Sequence, residues 1–550
     1  MTAPAGTRAP RLRVVLGLAR AEGSLLLRSL LILGGVVGGC AVVWAFNHST
    51  TPMWWDAVWE IGSGQVIVAI AVLVAAQLAA GRPRRNAMQD LYASFPASAT
   101  ARTAGHLTAL AAALPASLLL IGMTIVLEFR GAVGTPSAAA LTGGVLLVIA
   151  GGAVGVAIGI RFAHPLAGVL AALCLLILWT QAQRSSGGVV WLFPWAQVDG
   201  LHVLPGPLAG YPPAAAHAAE LAGLAALAGV IAIALTVKHG RALIGLAAAS
   251  VLAVAVIWAA GAVQLQPIPS ADLNRLVNEA ADPAAAQHCT TARQVRYCLY
   301  PGFDPQLPAL EGPVEGVLAH LPALPAQPLT IRQLVSLSLD DTTLTHGQPA
   351  QRLAAWASEL ARQPGNAAAP TAIYFTVGSW PGGAQAAEGR FALALGTADW
   401  AVGLPATAGS QNGPGPELCV PVDQAREAIA IWLAMVSTYV PPSGLQSGGF
   451  SAVNVDNATV PTWIAPGGGL TSPGPQTTYA GYELAVAMTR LQAGAVSRVL
   501  GRSWASWLNW HTTDARLAAA LGLPVPAIPA AMRAALAGPP PSPASPLCTR

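Results

Sequence analysis

The chain has 550 residues, of which 54% are hydrophobic and only 9% are charged, and its mean hydropathy is +0.54. These values exclude an ordinary soluble protein, because too few polar side chains are available to cover its surface. The formal net charge of +4 is too small to indicate a nucleic-acid-binding protein.

The first 264 residues are predicted to form a short cytoplasmic segment followed by a transmembrane domain. The cytoplasmic segment is 1–28. Residues 1–20 lack the order of a cleavable signal peptide, and 11–23 are typical of an amphipathic helix at the inner membrane surface. Seven apolar stretches follow, each close to the roughly 20 residues that a membrane-spanning helix needs. The predicted spans are 29–46, 61–80, 105–127, 138–160, 164–181, 213–236 and 242–264.

Charged and aromatic residues predict that the N-terminus lies in the cytoplasm. With that orientation the inner segments carry 12 Lys and Arg, whereas the short outer loops carry only Arg130 and Arg184. Eight tryptophans also fall at or near the predicted outer face, where indole rings favour the membrane interface. Seven crossings then place 265–550 outside the cytoplasm, so we expect a multi-pass protein of the plasma membrane with an extracytoplasmic domain.

Glycines within the predicted spans recur at intervals of four residues. This spacing lets the backbones of two membrane helices approach closely. The alternative is that the spacing only reflects the glycine-rich composition. The residues concerned are Gly34 with Gly38, Gly35 with Gly39, and the run Gly151, Gly155 and Gly159.

The cytoplasmic loop 81–104 carries the strongest indication of function. Arginines anchor it at the membrane surface, 86–95 can form a short helix with apolar and aromatic residues on one side, and a proline ends that helix. Ser98 or Thr100 can cap the helix that enters the third span. The loop is either a docking element for a protein partner or a plain interfacial connector. The predicted docking residues are Arg84, Arg85, Asp90, Leu91, Tyr92, Phe95 and Pro96.

An amphipathic helix, two spans and a loop of this form resemble the membrane subunit of a type-2 ABC transporter. The loop follows the form Arg-Arg-x-x-x-x-(Asp/Glu)-Leu-x-x-(Ser)-x-Pro-x-Ser-x-x-x-Arg, and the resemblance extends over about residues 10–236. The matching residues are Arg84, Arg85, Asp90, Leu91, Ser94, Pro96, Ser98 and Arg102.

The resemblance implies that the loop contains a coupling helix, which binds a groove of a separate ABC ATPase subunit. It also implies an efflux function and a pair of permease chains, either identical or different. The family core usually has six spans with both ends inside. The additional seventh span and the outer domain depart from that pattern, so nothing carries over to residues 242–550.

The sequence cannot form a nucleotide-binding loop. Such a loop needs a lysine followed by Ser or Thr, and the single lysine, Lys238, is followed by His239. ATP and Mg²⁺ are therefore expected on the partner subunit, and no cofactor or metal is expected in this chain. No H-E-x-x-H or G-x-S-x-G motif is present, so we do not predict an enzyme. The single lysine against 27 arginines indicates GC-rich coding, as in actinobacteria.

The outer half, 265–550, is predicted to be a mixed α+β domain with a Pro-rich tail. Helices are expected at 271–281, 311–321, 351–362, 423–439, 482–500 and 513–521, and strands at 372–377 and 390–395. Four cysteines in an oxidising compartment allow three pairings, of which the local one joins the first two. These candidate disulfide residues are Cys289, Cys298, Cys419 and Cys548.

Two further functions compete with transport. The chain could be a membrane-anchored extracytoplasmic sensor or binding protein without transport activity, and a neighbouring ABC ATPase gene or sensor-kinase gene would discriminate the two. An enzyme anchored by the helices is the third reading, which a buried carboxylate in the outer domain would favour. Glu220, in the outer part of the sixth span, is either a functional carboxylate or an interfacial one.

Overall fold

The structure is a computed structural model and is mostly helical. It describes residues 9–46, 54–88, 90, 94, 97–127, 132–133, 137–184, 214–237, 241–264, 266, 270–334, 350–360, 371–376, 386–404, 424–438, 449–455, 458–464 and 476–527.

The N-terminal half of the described chain contains nine helices and one short 3-10 turn at Leu110–Ala113. The helices are α1 (Ala9–Leu27), α2 (Leu30–Phe46), α3 (Trp54–Arg85), α4 (Ala99–Ala109), α5 (Leu114–Leu127), α6 (Ala138–Arg161), α7 (Leu166–Arg184), α8 (Ala214–Ala234) and α9 (Arg241–Gln264).

Among the described residues, five helical segments are long and apolar enough to cross a membrane, or six when α1 and α2, which meet at a bend of 53°, count as one span. The five lie in α3, in α4 with α5, and in α6, α8 and α9. The apolar part of α7 is shorter, Leu166–Ile177. The helices therefore fit a membrane protein, whereas the count of seven crossings and the cytoplasmic N-terminus stay predictions.

The closest helix packing in this half joins α3 and α6. Gly151, Gly155 and Gly159 of α6 lie against the backbone of α3, where an added Cβ would meet the carbonyl oxygens of Ala69, Leu73 and Gln77 at 2.9, 2.2 and 2.5 Å. Both sets of residues advance in steps of four, so the two helices run parallel. The predicted close approach at these three glycines is confirmed.

The glycines of α2 divide into two groups. An added Cβ would meet Ala71 Cβ at 2.6 Å from Gly35 and the Gly64 carbonyl oxygen at 2.8 Å from Gly39, whereas nothing lies within 4 Å of Gly34. The predicted packing is therefore confirmed for Gly35 with Gly39. In the pair Gly34 and Gly38, an added Cβ at Gly38 would meet Ile67 Cγ2 at 3.3 Å, whereas one at Gly34 would meet none of the described atoms within 4 Å.

A polar pair is buried among these apolar helices. Gln65 of α3 donates through Nε2 to the carbonyl of Ser117 of α5 at 3.0 Å, and the Ser117 hydroxyl donates to Gln65 Oε1 at 2.9 Å. Both side chains are fully buried. Because each polar atom of the pair has a partner, the pair fixes the position of α5 on α3 without an uncompensated polar group.

The C-terminal half of the described chain combines helices and two sheets. Its helices are α10 (Ser270–Ala281), α11 (Leu307–His320), α12 (Ala350–Leu360), α13 (Ala386–Ala401), α14 (Ala425–Thr438), α15 (Tyr479–Thr489), α16 (Ala493–Arg502), α17 (Trp504–Trp507) and α18 (Asp514–Leu521), with 3-10 turns at Pro283–Ala285 and Asp304–Gln306. The strands are β1 (His288–Ala292), β2 (Val295–Leu299), β3 (Leu329–Leu334), β4 (Ala372–Thr376), β5 (Gly449–Val455), β6 (Ala458–Ile464) and β7 (Gln476–Thr478).

The larger sheet has the order β1-β2-β3-β4, and its first pair is antiparallel while the other two are parallel. Cys289 lies opposite Cys298 in the β1–β2 pair, and the two form a disulfide, as predicted. Cys419 and Cys548 lie outside the described residues. The second sheet, β5-β6-β7, is antiparallel throughout.

Two hydrophobic cores hold this half together. In one, side chains of β2, β3 and β4 pack against α10 and α11 around the buried Phe303. In the other, α14 is buried along most of its length, with Trp432 at its centre, and packs against α13 and α15. This helix corresponds to the one predicted at 423–439.

One predicted strand is wrong. Residues 390–395 lie within the helix α13, and 391–395 are almost completely buried. A helix that is buried on all sides carries no polar face, so its sequence shows no helical period and large and small apolar residues can alternate by chance. The predicted helix 482–500 is interrupted, because α15 ends at Thr489 and α16 begins at Ala493. The other predicted helices overlap α10, α11, α12, α14 and α18.

The α3–α6 contact makes a direct prediction for Gly155. The substitution Gly155→Ala should lower the stability of the folded protein by about 1–3 kcal/mol, because the added methyl group collides with a backbone carbonyl that has no free space to move. Thermal unfolding of the purified protein in detergent measures this change. The control is Gly122→Ala in α5, where nothing lies within 4 Å. Equal melting temperatures of the two variants would contradict the packing.

Candidate functional site

The predicted docking loop begins with a well-defined end of α3. Ala87 takes the left-handed backbone conformation (φ 51°), and the Met88 amide donates to the Pro83 carbonyl at 2.9 Å. This is the hydrogen-bond pattern of a Schellman turn, which ends a helix and changes the direction of the chain.

The predicted docking residues lie partly within the described chain. Arg84 and Arg85 are exposed at the end of α3, where they donate to the carbonyls of Arg161 (3.4 Å) and Leu78 (3.3 Å). Asp90 is exposed and helical, and so is Ser94, four residues later. The other four predicted residues, Leu91, Tyr92, Phe95 and Pro96, lie outside the described residues, so their docking role stays a prediction.

The far side of the loop is held by a helix cap. The Ser98 hydroxyl accepts a hydrogen bond from the Ala101 amide at 3.1 Å at the start of α4, and Arg102 Nη1 donates to the Ala97 carbonyl at 3.0 Å. Of the two capping residues considered, Ser98 is therefore the one used. The cap satisfies a backbone amide that the helix itself leaves without a partner.

A cluster of Glu22, Arg82 and His106 joins the two flanks of the loop to α1. Glu22 of α1 lies 3.9 Å from Arg82 of α3 and 3.9 Å from His106 of α4, which is charged only when it is protonated. Beside it, α1 packs closely on α4, since a Cβ on Gly105 would meet Leu18 Cβ at 2.9 Å. The ends of α3 and α4 are thus tied to one another through a third helix.

The end of α3 is also tied to the turn between α6 and α7. Gln77 is completely buried and donates through Nε2 to the His164 carbonyl at 3.0 Å. The loop consequently starts and ends on helices whose positions are fixed by hydrogen bonds, by the Glu22 cluster and by close glycine packing.

At its other end, α3 contacts the second half of the chain through Val133. The Trp54 amide donates to the Val133 carbonyl at 3.0 Å, and the Val133 side chain packs on the hydrophobic core around Phe303. Gly302, at φ 90°, lies close enough that a Cβ there would meet Val133 Cγ1 at 3.2 Å. One short segment thus connects the start of α3 with the core of the four-stranded sheet.

A buried carboxylate lies between α8 and α9. Glu220 of α8 accepts a hydrogen bond from Gln264 Nε2 at 2.6 Å, and Gln264 Oε1 lies 3.0 Å from His217 Nδ1. Glu220 and Gln264 are both buried. Glu220 is therefore enclosed by protein and holds Gln264, the last residue of α9, whereas its functional or interfacial role stays a prediction.

The described residues contain no metal-binding cluster. No group of three or more His, Cys, Asp or Glu side chains within them could hold a metal ion.

No protein-family model, no curated protein and no solved structure matches this chain.

A second buried carboxyl group lies in the C-terminal half, at the end of α13. Asp399 is almost completely buried, and one of its oxygens has no hydrogen-bond partner. Burial raises the pKa of this carboxyl well above its ordinary value, against the opposing effect of the nearby Arg426 guanidinium. Glu427, which is also buried, interacts with the same Arg426 guanidinium. A buried carboxylate in this half is the feature that favours the anchored enzyme, and that reading stays a prediction.

The raised pKa of Asp399 predicts a pH-dependent stability. Between the ordinary and the raised pKa, folded Asp399 keeps its proton while the unfolded chain releases it, so the free energy of unfolding decreases as the pH rises through this range. Asp399→Asn removes this dependence, and its melting temperature should fall less than that of the wild type between acidic and neutral pH.

Tryptophan fluorescence during thermal unfolding at a series of pH values measures the effect of Asp399→Asn. The control is Asp272→Asn, at a partly exposed position in the first turn of α10, which should keep the wild-type pH dependence. Parallel pH profiles of Asp399→Asn and the wild type would show that Asp399 is not protonated in the folded state.

Sequence reasoning found the loop but missed the contacts that hold it. Glu22 is the one acidic residue in a basic segment, which is the only sequence signal for the cluster. The sequence does not indicate the contacts of Gln77 and Val133, because an isolated side-chain amide in a span and an isolated valine in a loop are common. Their roles depend on partners more than 80 residues away in the chain.

Proposed function

We propose that this chain is the permease subunit of an ATP-driven exporter of the ABC type. Its loop 81–104 binds a separate ATPase subunit, which holds ATP and Mg²⁺, and two permease chains and two ATPase subunits form the working unit. The plasma membrane is its location, and the second half of the chain faces outward.

The observation that carries this proposal is the exposed loop fixed at both flanks. Its described residues Asp90 and Ser94 are helical and solvent-exposed, and the flanks are tied by Glu22, Arg82 and His106. A loop that served only as a connector would not require three helices to converge on its two ends. A docking element requires this, since force on a loosely held loop would not reach the helices.

The proposed mechanism uses α3 as the moving part. This helix has 32 residues and is therefore about 48 Å long at 1.5 Å per residue. Closure of the ATPase subunits displaces the loop, α3 moves together with α6, and access to the substrate changes from one side of the membrane to the other. Through Val133 the same movement reaches the outer sheet.

The docking role is tested by replacing Asp90, Leu91 and Tyr92 together with alanine. We expect co-purification with the neighbouring ABC ATPase to fall by at least about tenfold, because a few central side chains carry most of the affinity of a protein interface. Quantitative pull-down of the tagged permease measures the ratio of ATPase to permease.

The matched control is Phe162→Ala, which removes an exposed aromatic side chain from the turn between α6 and α7. This variant should keep the wild-type ratio. If the triple variant retains its ATPase, or if Phe162→Ala loses as much, the loop is not the coupling element. A chain that binds no ATPase at all would favour the sensor or binding protein instead.

A further inference from the structure

A groove between α10 and α12 is large enough for a small molecule and carries both signs of charge. Its volume is about 510 Å³, within the range of small-molecule sites. Asn274, Val277 and Asn278 of α10 form one wall. The other wall is formed by Gln351, Arg352, Ala355, Trp356 and Glu359 of α12.

The two helices that form the groove run parallel and are joined by polar contacts. Arg352 Nη1 donates to the Ser270 hydroxyl, and Trp356 Nε1 donates to Asn274 Oδ1 at 2.9 Å. Each contact joins residues that are 82 positions apart in the chain, and the second contact lies one helical turn after the first in both helices. They fix the spacing of the helices, so the groove exists without a ligand.

The floor and the rim of the groove differ in chemistry. Trp356 and Val277 are buried and give an apolar floor. Asn274, Asn278 and Gln351 are exposed on the rim, where their side-chain amides can donate and accept hydrogen bonds. Side-chain amides above an apolar floor suit a ligand that itself carries amide groups.

The spacing of the two charged residues suits a ligand of limited length. Arg352 and Glu359 lie on the same face of α12, two turns apart, so their backbone positions are separated by about 10.5 Å along the helix axis. An extended peptide spans at most about 3.3–3.6 Å per residue, so about three residues bridge that distance. A guanidinium pairs with a carboxylate in bidentate geometry, and a carboxylate binds an ammonium group.

We propose that this groove binds a short zwitterionic peptide of about three residues, with its carboxylate on Arg352 and its ammonium group on Glu359. The rim amides of Asn274 and Asn278 bind its peptide groups. This site is independent of the ATPase-docking loop, and peptide binding does not require transport. Because only five residues separate the end of α9 from the start of α10, a bound peptide lies close in the chain to the last predicted span.

Isothermal titration of the full chain in lipid nanodiscs tests the site, with trialanine as the probe. We expect saturable binding of trialanine and at least about tenfold weaker binding of N-acetyl-trialanine and of trialanine amide, since each cap removes one charged hydrogen-bonding group. Maltotriose, a neutral sugar of similar length, should not bind.

Two variants assign the ends of the peptide. In Arg352→Gln, trialanine should bind about tenfold more weakly, and amidation of its carboxylate should have no further effect. In Glu359→Gln, trialanine should also bind about tenfold more weakly, and acetylation of the peptide's amine should have no further effect. Arg498→Gln and Glu315→Gln, at exposed positions in α16 and α11, serve as controls that keep wild-type binding.

The outcomes separate the proposal from its rivals. Lack of saturable trialanine binding at millimolar concentration overturns it, and so does equal binding of the capped and uncapped peptides. Tighter binding of maltotriose than of trialanine assigns the groove to a carbohydrate instead. If Arg352→Gln does not fold, the capped peptides on the wild-type protein still decide whether the two charges recognise the ligand.

Discussion

The backbone contact between α3 and α6 is the constraint on which the other contacts of the first half depend. Three glycines of α6 lie on three successive turns of α3, at distances that no residue with a side chain could reach. In a membrane the apolar side chains of two helices gain little by leaving lipid, so close packing of this kind supplies the association energy. A parallel pair of helices without space between them moves as one body.

This rigid pair explains why distant contacts can act together. At one end of α3, hydrogen bonds and the Glu22 cluster hold the flanks of the loop, and at the other end Val133 connects the helix with the core of the four-stranded sheet. A soft or bent α3 would absorb any displacement between these places. The described helix runs without interruption from Trp54 to Arg85, and its proline, Pro83, lies only in the last turn.

The sequence predicted those features that depend on local composition. Apolar runs of sufficient length identified the helices, four-residue spacing identified the packing glycines, and a separation of nine residues favoured the Cys289–Cys298 disulfide. Features that depend on burial or on distant partners were not predictable. The all-apolar run 391–395 was misassigned because complete burial erases the helical period, and the groove between α10 and α12 joins segments 82 residues apart.

The central claim, that α3 and its neighbours connect a cytoplasmic loop with an extracytoplasmic domain, is tested most directly by membrane sidedness. Ser94→Cys in the loop and Arg498→Cys in the outer domain are each introduced into a chain whose four cysteines outside the bonded pair are alanine. Intact cells are then treated with a membrane-impermeant maleimide. The account predicts labelling at 498 without permeabilisation and at 94 only after it. Labelling of both positions from the same side would contradict the account.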